Sequence, residues 1–100
     1  MELQSIVIKI PKTAVKDFQD KEILFLLLDK ALTKLEYYRS KCKQFEEKYK
    51  KTLEEFKKEV ESKEENFEWW DDFILWEGYE EAYKDWKRKY EEIKLVLQHN

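Results

Sequence analysis

Between Pro11 and Gly78 the chain contains neither proline nor glycine, and it has no others. Proline and glycine are the residues with which chains break helices, enter tight turns and leave strands. Their absence over so long an interval favours long, uninterrupted helices over a turn-rich sheet. Charged residues make up 43% and hydrophobic ones 42% of the chain, which suits helices with one apolar stripe and a solvated remainder. At 100 residues the chain is one domain, with a modest core unless it oligomerises.

The first residues are the exception to the helical reading. Leu3-Gln4-Ser5-Ile6-Val7-Ile8-Lys9-Ile10 is rich in β-branched side chains, with Ile6, Ile8 and Ile10 on one face and Ser5, Val7 and Lys9 on the other. This pattern predicts a strand that Pro11 stops. Lys12 to Gln19 then predicts one or two helical turns with Ala14, Val15 and Phe18 inward, and Asp20 is a good cap for the next helix.

Two heptad seams follow. Leu28, Leu35, Cys42, Tyr49 and Phe56 recur at a, with Leu24, Ala31, Tyr38 and Phe45 at d, predicting a helix from about 21 to 61. The pattern slips at Thr52 to Leu53, and Val60 ends it. A second seam has Trp69, Trp76, Tyr83, Tyr90 and Leu97 at a and Tyr79, Trp86 and Ile93 at d, with Phe73 beside them. Phe56 and Trp69 are thirteen residues apart where unbroken heptads need fourteen, so a reversal near 61–66 is favoured over one continuous helix. Ser62-Lys63-Glu64-Glu65 is a candidate capping box for the second helix, and Asn66 an alternative cap.

The expected fold is therefore mainly α. A short N-terminal strand and a short helix precede a long antiparallel, coiled-coil-like helical hairpin in one domain. Residues 1–20 carry the dimerisation elements, 21–61 the long helix and 62–97 a second, acidic aromatic helix. Around Ile23-Leu24-Phe25-Leu26-Leu27-Leu28 the first helix is apolar on all sides, more than one partner helix can bury. The N-terminal strand or a second copy must cover it, and a second copy would also satisfy the strand's open edge, so a homodimer is expected.

The chain offers little catalytic chemistry. Its only histidine, His99, is next to the end, and Cys42 lies on the predicted seam, where a buried core thiol is the ordinary reading. Ser5, Ser40 and Ser62 are the only serines, and no Gly-rich phosphate loop, CxxC pair or HExxH motif occurs. No enzymatic activity and no cofactor are expected. A lone cysteine requires no oxidising compartment, Met1-Glu2 does not open a signal peptide, and Ile23–Leu28 is too short to cross a bilayer. A cytoplasmic protein without a membrane partner is expected. Lys and Glu enrichment with few Asn, Gln, Cys and Met fits a thermophilic source, as it would any Lys/Glu-rich coiled coil.

The net charge of −3 hides an asymmetry: residues 1–52 carry +4 and residues 53–100 carry −7. Fields of opposite sign attract different molecules, so the two halves are expected to meet different partners. The densest cluster is Phe67-Glu68-Trp69-Trp70-Asp71-Asp72-Phe73-Ile74-Leu75-Trp76-Glu77-Gly78-Tyr79. Trp69, Phe73, Trp76 and Tyr79 fit the core stripe, but Trp70, Ile74 and Leu75 fall off it. Aromatic anchors ringed by carboxylates suit docking of a basic protein, and extra core is the competing reading. Trp69, Trp70, Asp71, Asp72, Phe73, Leu75, Trp76 and Tyr79 are the candidate partner-binding residues. Asp71, Asp72 and Glu77 make a poor metal site, because adjacent helical side chains point about 100° apart, and no metal is expected. Arg39, Lys41, Lys43, Lys48, Lys50 and Lys51 concentrate positive charge on the first helix, as for phosphate contact, but Glu36, Glu46 and Glu47 are mixed in, as on a solvated face.

The order of strand, short helix, long helix and acidic partner-binding tail, with IVIKIP as the opening strand, resembles prokaryotic antitoxins of the ribbon-helix-helix kind. The tail with WWDDFILWEGYEE is also similar to small archaeal antitoxin components. The resemblance implies that residues 3–10 of two chains pair as an antiparallel ribbon. It implies further that Ser5, Val7 and Lys9 face DNA and that the second half clamps a co-encoded toxin. Beside this antitoxin-like reading stand a homo-oligomeric structural or adaptor coiled coil and an enzyme or metal protein using Asp71, Asp72 and Glu77.

Overall fold

The computed structural model describes residues 1–62 and 66–99. Four helices account for its regular structure: α1 (Lys12–Val15), α2 (Asp20–Tyr49), α3 (Leu53–Ser62) and α4 (Phe67–His99). At about 1.5 Å per residue α2 and α4 are each some 45–50 Å long, and they dominate a molecule of 62 × 25 × 20 Å.

The long helices form the expected antiparallel hairpin. Phe45 of α2 stacks on Trp76 of α4 with centroids 5.7 Å apart, while Tyr38 and Tyr79 sit 6.1 Å apart. At the end where α2 stops and α4 starts, Tyr49 meets Trp69 edge-on at 6.4 Å. Leu24, Leu28, Leu35, Tyr38, Phe45 and Tyr49 are half-buried on the α2 seam, and Ala31 and Cys42 are buried. On α4, Trp69, Tyr79, Tyr83, Trp86, Tyr90, Ile93 and Leu97 are half-buried, while Phe73 and Trp76 are buried. Both heptads thus describe the faces that meet, because a helix can bury only the stripe its neighbour covers.

The single helix expected over 21–61 is two helices. Lys50 adopts a left-handed conformation, φ 55° and ψ 38°, and its N–H donates to the Glu46 carbonyl at 2.8 Å, closing α2. Thr52 then caps α3 from a Thr-x-x-Glu sequence: its Oγ1 accepts from the Glu55 N–H at 3.2 Å and donates to Glu55 Oε1 at 3.3 Å. Lys51 pairs with Glu59 across this turn.

The break lets α3 pack on α4 with Leu53, Phe56 and Val60 inward. Phe56 and Val60 join Cys42, Phe73 and Trp76 in the buried core, with Phe45, Tyr49, Leu53, Trp69 and Tyr79 packed around them. Aromatic packing dominates, and the buried Nε1 of Trp76 has no hydrogen-bond partner among the described residues.

The reversal into α4 falls where the heptad offset places it. Asn66 is the cap: its Oδ1 accepts from the Trp69 N–H at 3.2 Å. Ser62, the other candidate cap, donates instead to the Glu59 carbonyl at 2.9 Å, and residues 63–65 of its capping box lie outside the described residues. Helix α4 continues unbroken through Gly78.

The N-terminal expectation needs correction. Residues 1–11 form no strand and are exposed throughout, with Ile6, Ile8 and Ile10 turned to solvent along with Val7. A strand exists only when another strand's edge pairs with it, and the described residues supply no such edge. Helix α1 is one turn long, and Val15 and Phe18, expected inward, are about half exposed. Gln19 rather than Asp20 precedes α2, so Asp20 lies in its first turn. Nothing among the described residues covers the apolar collar of α2, where Ile23, Phe25, Leu26 and Leu27 remain exposed.

Candidate partner-docking face

The eight residues singled out around Trp69–Tyr79 divide between two faces of α4. Phe73 and Trp76 are core, and Trp69 and Tyr79 pack against it. These four hold the hairpin together and are not a docking surface.

Asp72 also turns inward. Tyr49 Oη donates to Asp72 Oδ2 in a short hydrogen bond, and Lys48 Nζ donates to the same oxygen at 2.7 Å while reaching Glu68 at 3.4 Å. Partial burial pushes the Asp72 carboxyl up, but the hydrogen bonds from Lys48 and Tyr49 outweigh it and hold the group below the ordinary range. The same contact raises Lys48 and, after burial, helps push Tyr49 up to about 12. Asp72 is therefore a lock between the end of α2 and the start of α4. Among the described residues no three His, Cys, Asp or Glu side chains converge as metal ligands.

Trp70, Asp71 and Leu75 lie on the outside of α4. Ile74, 62% exposed, and Phe67, 79% exposed, join them. Phe67, Trp70, Asp71, Ile74, Leu75 and Gly78 are spaced three or four residues apart, so they share one stripe facing away from the core. That spacing was readable in the sequence, but the core seam absorbed the aromatic pattern and Phe67 was missed. Trp70 also rests edge-on against Phe73, with centroids 6.1 Å apart, which ties the outer stripe to the core.

The electrostatics of this stretch are one-sided. Residues 67–82 contain Glu68, Asp71, Asp72, Glu77, Glu80 and Glu81 and no lysine or arginine. Farther along α4 the charges are mixed, with Asp85 bonded to Arg88 and Lys89, each at 2.7 Å. Hydrogen bonding from Lys89 leads in holding the Asp85 carboxyl below its ordinary value.

The basic cluster on α2 is partly consumed inside the chain. Lys48 and Lys51 are in ion pairs, and Lys41 sits over the Tyr37 ring at 5.4 Å. Arg39 and Lys43 line a cleft of about 220 Å³ with Cys42, Glu46, Glu80 and Tyr83. Burial, reinforced by Glu80 and Glu46, pushes the Cys42 thiol up to about 12, so it stays protonated and unreactive at neutral pH. Ser5, Val7 and Lys9 are exposed but share no sheet face, because no strand forms there.

No helix among the described residues is long and apolar enough to cross a membrane. No family model, curated protein or solved structure matches the chain.

Proposed function

We propose that this chain is a protein-interaction module that engages a basic partner through the outer face of α4, in the manner of an antitoxin neutralising a co-encoded protein. One observation carries the reading: Phe67, Trp70, Ile74 and Leu75 remain exposed on a helix whose other face already completes the core. Large apolar side chains clustered on a surface and rimmed by one sign of charge mark a protein-docking site more often than they serve the monomer.

The test is affinity capture of the tagged protein from its host at moderate salt, identifying each co-purifying chain, with Trp70→Ala, Leu75→Ala alongside. A stoichiometric basic protein lost in the variant supports the reading. Recovery of the bait alone from both refutes it.

A second reading is favoured by the opposite end of the hairpin. Ile23, Phe25, Leu26 and Leu27 are exposed there, and Phe18, Phe25, Leu26 and Leu28 line an apolar cleft of about 420 Å³ with Glu22 and Asp29. A second copy would cover this collar and give residues 3–10 a strand edge, placing Ser5, Val7 and Lys9 on one face of a ribbon, where DNA contact becomes geometrically feasible. Phe25→Asp should then convert a dimer to a monomer in sedimentation. An unmodified chain that sediments as a monomer eliminates this reading.

A further inference from the structure

Gly78 is the chain's only glycine, and nothing among the described residues explains it. It lies within α4 at an ordinary negative φ, and a Cβ built there would meet no atom within 4 Å. Neither backbone conformation nor internal packing requires the missing side chain. Glycine is the poorest helix former apart from proline, so α4 is weakened at this position for no gain within the fold.

The gain lies on the outer stripe. Gly78 follows Leu75 by three residues and Ile74 by four, so it leaves a notch beside two exposed apolar side chains. Glu81 lies one turn on from Gly78, and Glu77 forms with it a like-charged i,i+4 pair along one side of the stripe, an arrangement that destabilises an isolated helix. Both the bare backbone and the clustered carboxylates become favourable when another backbone with positive side chains comes close.

Resting on the partner-face reading above, we propose that Gly78 is the crossing point for a basic amphipathic helix of a partner protein. Its apolar side seats on Ile74 and Leu75, and its cations meet Glu77 and Glu81. A helix is the fitting occupant because the stripe is itself a ridge with helical spacing, and helices pack ridge into groove, approaching most closely where a side chain is small. A second copy of α4 is disfavoured at this spot because it would bring the same carboxylates against one another.

The test measures binding of a synthetic Leu/Lys amphipathic helical peptide to the full chain, with a Leu/Glu peptide as control, together with thermal unfolding. The proposal predicts binding of the Leu/Lys peptide alone. Gly78→Ala should raise Tm by about 4 °C yet weaken binding by about tenfold or more, since added helix propensity and a filled notch act in opposite directions. Glu77→Lys, Glu81→Lys should also weaken binding. Full peptide affinity in Gly78→Ala, with loss in Trp70→Ala, Leu75→Ala, overturns the crossing point and leaves the docking face standing. Equal binding of the two peptides, or binding that none of these variants changes, overturns the helix proposal and counts against the face. Self-association abolished by Gly78→Ala assigns the notch to a second copy and also overturns the proposal.

Discussion

Replacing Phe56 by alanine should cost about 4 kcal/mol. Phe56 is fully buried, and its ring lies 4.1 Å from Tyr49, 5.5 Å from Trp76, 6.1 Å from Trp69 and 6.5 Å from Phe73 between centroids. Burying about 200 Å² of aromatic surface at roughly 25 cal/mol per Å² gives an upper figure of about 5 kcal/mol. Buried Phe→Ala changes generally cost about 3–5 kcal/mol, and four neighbouring rings leave little room for the site to collapse. The whole domain is worth about 5–15 kcal/mol, so the variant should lose roughly a quarter or more of its stability. Urea unfolding at 25 °C, followed by circular dichroism and tryptophan emission, should show the midpoint falling by about 2 M. Ile74→Ala, by contrast, removes a side chain that is 62% exposed and should change stability by no more than about 0.5 kcal/mol. Phe56→Leu, expected to lose roughly 1–2 kcal/mol, keeps the measurement possible if alanine unfolds the chain. A loss below about 1.5 kcal/mol for Phe56→Ala would refute the claim that α3 is docked through this ring.

Further consequences concern the α2–α3 turn and pH. Lys50 holds a left-handed conformation that costs a side-chain-bearing residue about 1 kcal/mol, so Lys50→Gly should stabilise the chain by about that much; a lower urea midpoint would contradict the cap. Cys42 and Tyr49 move from their ordinary 9.0 and 10.0 up to about 12, so the folded state holds their protons more tightly than the unfolded chain. Their stabilisation is complete below pH 9 and disappears as pH rises through about 12, and a melting temperature unchanged over that window would exclude it. Asp72 acts in the opposite sense, because its lowered value gives stability that is present above about pH 4 and lost on acidification through the folded value. Asp72→Asn should remove that acid-side dependence, and an unchanged acid profile would count against the lock.

The hairpin was legible because a helix period is a strong constraint: Leu24 to Tyr49 and Trp69 to Leu97 leave only one stripe per helix to bury, and the thirteen-residue offset marks the reversal. The break at Lys50 was not, since left-handed closure is usually signalled by Gly or Asn and the chain uses Lys. Thr52-Leu53-Glu54-Glu55 was the available sign, a Thr-x-x-Glu cap at the point where the heptad slips. The strand failed for another reason: alternation in Leu3–Ile10 reports a preference, whereas a strand needs an edge supplied from outside. Within the candidate site, exposure of Trp70 and Leu75 followed from their position off the seam. The role of Asp72 did not, because it depends on the register that brings Lys48 and Tyr49 of α2 beside it.

Helix α4 carries two apolar faces, one spent on the core and one exposed, and the proposed function assigns the exposed one to a partner. The most direct measurement is parallel unfolding and capture of Trp70→Ala, Leu75→Ala against the unmodified chain. A variant that stays folded is predicted, losing no more than about 3 kcal/mol because Leu75 is half exposed and Trp70, 39% exposed, gives up its edge-on contact with Phe73, together with loss of the co-purifying basic protein. A large loss of stability with capture intact would show that the outer face serves the fold and not a partner.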